Sequence, residues 1–149
     1  MTDRGREAVY AAEVAAFDGT SYERCTDLEA LQALARRITS AAWWPCGAIA
    51  VIAARRDASS SATYWQDGSS PVIRLAALQM TPATLTHEMA HALAGVANGH
   101  GPAFRRAHTD LVHFVFGAEP ADWLVDAYRA MGLSLGDRQW QPPSAHAIV

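Results

Sequence analysis

The sequence predicts a single α+β domain in which five helices flank a small sheet of three short strands. Three observations carry that expectation. Helix starts and stops recur along the chain as an N-capping residue, an apolar repeat and a closing glycine. The middle of the chain instead holds short runs rich in β-branched and aromatic residues, set off by turn-forming stretches. Finally, 149 residues, 50% of them hydrophobic, suffice for one core and leave little for a second.

Residues 4–17 form an alanine-rich helix that ends at Asp18-Gly19. Thr26 starts the next, because Thr26 and Glu29 stand at the spacing of a capping box. Leu28, Leu31, Leu34 and Ile38 then make one apolar stripe, which Trp44-Pro45 closes. Strands are expected at Ala48–Ala54, Ala62–Gln66 and Val72–Leu78, with Asp67-Gly68-Ser69-Ser70-Pro71 as the turn between the last two. Thr81 is a good N-cap ahead of Pro82, and Gly95 stops this third helix about four turns later. A fourth helix runs from Pro102 to Phe116, and a fifth from Pro120 to Met131 with Gly132 beyond it. Residues 1–132 are thus one domain, and 133–149, with Trp140 and Pro142-Pro143, an irregular tail. That tail, folded across a cleft, would restrain activity there.

The formal net charge is −3 and the basic residues form no cluster, so neither nucleic acid nor an anionic membrane is an expected partner. All 12 basic residues are Arg, which suggests a GC-rich coding sequence of bacterial or phage type. No stretch approaches the roughly 20 apolar residues that cross a bilayer. The acidic opening residues lead into no apolar run, so a cytoplasmic protein without a signal peptide is expected. Cys25 and Cys46 lack metal or redox spacing and read as buried, reduced thiols.

The chemistry lies in His87-Glu88-Met89-Ala90-His91, inside the third helix. Residues four apart are neighbours on a helix face, so His87 and His91 can converge on one ion. Glu88 is one step round, where its carboxylate can take a proton from a water at an open coordination position. Leu85, Met89 and Leu93 fall on the opposite face and bury the helix. His100 is the third candidate ligand. It follows His91 by nine residues, at a corner made by Gly95, Gly99, Gly101 and Pro102. Three ligands and one open position suit a catalytic zinc, whereas a structural one is closed by four.

Thr84-Leu85-Thr86-His87-Glu88-Met89-Ala90-His91-Ala92, followed by His100-Gly101-Pro102-Ala103-Phe104, resembles the SprT-like (Spartan-type) zinc metallopeptidases, whose signature is HExxH, a spacer and HGxxF. It is also similar to a set of actinobacterial metallohydrolases known from sequence. The resemblance covers about Val72 to Phe116. It implies a compact zincin-like domain, one Zn²⁺, Glu88 as general base and a peptide or protein substrate. It further implies that Tyr64-Trp65-Gln66 forms a sheet edge able to take an extended peptide. The spacer here is shorter than in the Spartan-type enzymes, and no zinc ribbon or basic tail follows, so their DNA-linked substrates are not implied. Two alternatives stay open: a zinc amidase acting on a non-peptide substrate, and a non-enzymatic zinc-stabilised binding module.

Other residues have lesser roles. His108 and Tyr128 are candidates to stabilise an oxyanion or to brace a ligand from behind. Asp110 and Asp126 are candidates to orient a ligand's second nitrogen. Glu119 is read as a helix cap rather than a ligand. His113 is read as a core or surface histidine, and His146 has no role. Trp43, Trp44 and Trp123 are core anchors. The Arg36-Arg37, Arg55-Arg56 and Arg105-Arg106 pairs are solvated, although an inward Arg105 would select an acidic substrate.

Overall fold

Three short strands, β1 (Ala50–Ala53), β2 (Ser61–Tyr64) and β3 (Pro71–Leu75), form a mixed sheet in the order β1-β3-β2. β3 runs parallel to β1 and antiparallel to β2. Its central place explains its composition: Val72, Ile73 and Leu75 are fully buried, while the edge strands bury only Val51 and Ala62. These features come from a computed structural model that describes residues 3, 5–64, 68, 70–143 and 148. Trp65 and Gln66, expected at the edge of β2, lie outside the described residues.

The helices are α1 (Arg6–Phe17), α2 (Leu28–Thr39), α3 (Pro82–Ala94), α4 (Pro102–Phe116) and α5 (Ala118–Ala130). α3 lies between the sheet and α4, and α1 packs against α5. Leu85, Met89 and Leu93 fall among the core residues, as the helical spacing predicts.

Four local expectations need correction. Asp27 caps α2 in place of Thr26: its carboxylate accepts from the Ala30 N–H at 2.7 Å, and the Thr26 N–H is spent on Met80 O. The third strand stops at Leu75. Ala77–Gln79 is a 3-10 turn fastened by Ser60, whose hydroxyl donates to Gln79 Oε1 at 2.6 Å and accepts from the Ala76 N–H, leaving Leu78 91% exposed. α5 begins at Ala118, because Gly117 at φ 108° turns the chain directly out of α4. Glu119, expected to cap α5, sits instead in its first turn near the positive end of the helix dipole. The far end of α5 closes on Gly132 at φ 72°, where Leu133 N bonds Tyr128 O and Gly132 N bonds Arg129 O.

Surface expectations also shift. Trp43 and Trp44 are buried, but Trp123 is 37% exposed and anchors no core. Cys25 is an exposed thiol and Cys46 a half-buried one. Arg105 and Arg106 are not solvated pairs. Their Nε atoms donate to Ser134 O and Gly136 O, tying the tail to α4. Arg138 then grips Asp110 with two bonds of 2.6 and 2.8 Å, and Trp140 Nε1 reaches the same carboxylate at 2.9 Å. Among the described residues, no helix is long and apolar enough to cross a membrane.

Candidate metal centre

Thr81 caps α3 by accepting from the Thr84 N–H at 3.0 Å, and Pro82 fills the first helical position, where no N–H is needed. The cap fixes the helix phase. One face enters the core, and His87 and His91 emerge on the side toward α4 together with Phe104, whose ring lies 4.9 and 4.4 Å from theirs.

His100 arrives by a tight corner. Gly95 (φ 97°) and Gly99 (φ 54°) take left-handed conformations around the 3-10 turn Val96–Asn98, and Gly101 caps α4. The buried Arg105 clamps this corner by donating from Nη1 to His100 O at 2.9 Å, so it selects no substrate from the cleft.

The three imidazoles meet through the same atom. His100 Nε2 is 3.2 Å from His87 Nε2 and 3.2 Å from His91 Nε2. A tetrahedral ion with bonds of about 2.0–2.1 Å sets its ligands about 3.3 Å apart, so the spacing fits a metal. The tautomers agree. His87 Nδ1–H donates to Glu13, and His100 Nδ1–H donates to Asp3. With Nδ1 protonated in both rings, the Nε2 atoms turn toward one another as acceptors, an arrangement that a cation between them, a metal ion or a proton, satisfies. Burial, reinforced by His87 and His100, pushes His91 down to about 3, so it too stays neutral. Burial also holds His100 below its ordinary value, despite Asp3. His87 alone is raised, because Glu13 outweighs its burial. The triad thus favours one added positive charge.

Asp3 and Glu13 were not legible as site residues. Asp110 and Asp126 were the candidates for this orienting role, but Asp110 is committed to the tail and Asp126 is exposed. Glu13 did leave a signal. Val9, Ala12, Glu13, Ala16 and Phe17 fall on one helical stripe, and a carboxylate placed there needs a partner. Asp3 left none. Its fit depends on two close approaches: a Cβ on Gly5 would lie 2.7 Å from His100 O, and one on Gly99 3.1 Å from Asp3 Oδ2.

A cleft of about 430 Å³ opens on His87 and Glu88 between α1, the 3-10 turns Ser21–Glu23 and Ala77–Gln79, and the start of α3. Tyr10 stacks on His87 at 5.5 Å and forms one wall, with Glu23, Ser60 and Gln79 among the others. No described residue of the tail lines it, and Trp140 is bound to Asp110 instead. Glu88 is 5% exposed, its Oε1 is 3.9 Å from His87 Nε2, and its Oε2 has no hydrogen-bond partner among the described residues. Burial, opposed by His87 and helped by Glu13, pushes its pKa up to about 7.

His108 and Tyr128 do not line the cleft. Both are fully buried behind His87, with His108 Nδ1 2.7 Å from Tyr128 Oη. That leaves them no oxyanion to meet. His113 is half-buried, and His146 lies outside the described residues.

No protein-family model, curated protein or solved structure matches this chain. The donors themselves define what the site can hold. His87, His91 and His100 could bind a metal ion, and Glu13, His87 and His108 form a second converging group.

Proposed function

We propose that the chain is a zinc-dependent hydrolase of zincin type, acting on a peptide or protein substrate. The observation that carries this reading is the pairing of three converging Nε2 lone pairs with a buried, unpartnered Glu88 carboxylate at the head of a cleft. Three neutral imidazoles with short N···N spacing suit zinc, and three ligands leave a fourth position open. When bound there, the metal would acidify a water and polarise a substrate carbonyl. Glu88 supplies what remains. Its Oε2 is the atom free to take a proton from that water and return it to the departing group. A purely structural zinc has no use for such a group, which argues against the binding-module alternative. The peptide bond as target rests on the HExxH…HGxxF resemblance.

The test is metal analysis joined to turnover. The purified chain should hold about one zinc, and Glu88→Gln should keep it while losing cleavage of a broad peptide library. Absence of zinc from the wild type would overturn the metal reading. A zinc-loaded wild type that cleaves nothing in the library would turn the choice toward a non-peptide amide.

A further inference from the structure

Beside His87, Glu13 on the cleft wall begins a string of side chains that leads back to the fully buried His108 and Tyr128 and that the hydrolytic reading does not use. Glu13 Oε1 accepts from His87 Nδ1–H and is 3.3 Å from His108 Nε2. His108 Nδ1 in turn meets Tyr128 Oη at 2.7 Å. Every proton can be assigned. Burial keeps the Tyr128 phenol protonated, so its O–H donates to His108 Nδ1. His108 is neutral, so its one N–H is on Nε2 and faces Glu13, although the pair is not aligned as a good hydrogen bond. Glu13 therefore accepts the His87 N–H and has the His108 N–H 3.3 Å away without a formed hydrogen bond.

These three residues come from the interiors of three helices, α1, α4 and α5. On α4, His108 stands in the apolar stripe of Phe104, Ala107, Leu111 and Val112, just as Glu13 stands in that of α1. Polar groups at such positions are costly unless they are used.

We propose that Glu13 is a positioning residue for the metal, held by His108 and Tyr128, and that this string sets the orientation of His87 and the strength of its Nε2 as a ligand. A carboxylate on the far nitrogen fixes the ring and makes the near nitrogen more basic. Glu13, His87 and His108 also converge closely enough to hold an ion of their own, and the experiment below separates that arrangement from a positioning role. The inference rests on the metal reading of His87, His91 and His100, but not on hydrolysis or on any substrate.

The experiment compares full-length wild type, Glu13→Gln, Glu13→Ala and Tyr128→Phe. Zinc affinity is read by competition with a chromophoric chelator, and ligand geometry by the visible spectrum of the Co²⁺ form. The wild type should bind one ion. Glu13→Gln should still bind one, with affinity lowered about 10–100-fold and a shifted Co²⁺ band, Glu13→Ala should be weaker still, and Tyr128→Phe several-fold weaker than wild type. Wild-type affinity and band in Glu13→Gln would overturn the proposal and leave the metal reading intact. Two ions in the wild type and one in Glu13→Gln would overturn it in favour of a second metal site. A wild type that binds no ion overturns both. Should the Glu13 variants fail to fold by circular dichroism, Tyr128→Phe carries the test, since losing one buried hydroxyl preserves packing, and unchanged affinity there overturns the string.

Discussion

His87 belongs to two groups of converging side chains, and their difference is instructive. With His91 and His100 it forms a triad in which His100 Nε2 faces the Nε2 of each partner at 3.2 Å. With Glu13 and His108 it forms a group in which a carboxylate faces two N–H donors. The second group sets an acceptor against N–H donors; the first sets nitrogen against nitrogen, which a cation placed between them satisfies. Both contain histidine, both are sequestered, and residue type alone does not separate them. Donor spacing and tautomer do.

The comparison is broken most directly at His91, which belongs to the triad alone. His91→Ala should remove more zinc affinity than the roughly 10–100-fold expected from an outer partner. Equilibrium dialysis would check this, and near-wild-type retention would show that the triad is not the site. Chelation comes next in size. An ion present at a thousandfold its Kd stabilises the fold by about 4.1 kcal/mol. At roughly 2–4 °C per kcal/mol, stripping it should lower Tm by about 10 °C. An unchanged melting curve in chelator would deny that the fold depends on the ion.

Glu88 sharpens the comparison through pH. Its folded pKa near 7 lies above the ordinary 4.5, so the metal-free folded chain holds a proton that the unfolded chain has released. Stability therefore falls as pH rises from about 4.5 to 7, and Glu88→Gln escapes this loss. At about 1.4 kcal/mol per pKa unit, the variant should be more stable than wild type at pH 8 by roughly 2–4 kcal/mol, and no more stable at pH 4. Urea denaturation in chelator at the two pH values measures it, and equal gains at both would assign the effect to packing. The smallest effect belongs to Gly5→Ala. A Cβ there collides with His100 O and should lift Asp3 from His100, weakening zinc by up to about tenfold while the fold survives. Unchanged affinity would mean that Asp3 contributes nothing to the centre.

Much of this was legible in local sequence. The helices that carry the triad announced themselves through Thr81-Pro82, Gly95 and Gly101-Pro102, because capping and turn chemistry act over a few residues. His87, His91 and Glu88 followed from helical periodicity, and His100 from the glycines beside it. The braces were hidden for a physical reason. Glu13 meets His87 across 74 residues and Asp3 meets His100 across 97, and no local rule selects a partner at that distance. Asp110 shows the converse error: it lay near the site in sequence, but Arg138 and Trp140 claim it. The strand ends were misread where Ser60 and Gln79 impose a turn on residues whose composition allows a strand.

The separation of ligands from braces also orders events during folding. The three candidate ligands lie within a short stretch that α3 and α4 bring together across one corner, a contact with little loop to close. The carboxylates come from the opposite end of the chain and must wait for α1 to dock on α5. Zinc uptake during refolding should therefore be biphasic, a fast weak capture by the α3–α4 corner followed by a slower tightening as Glu13 and Asp3 arrive. In Glu13→Ala the slow phase should shrink while the fast one persists, so the helix that closes the site also times its completion.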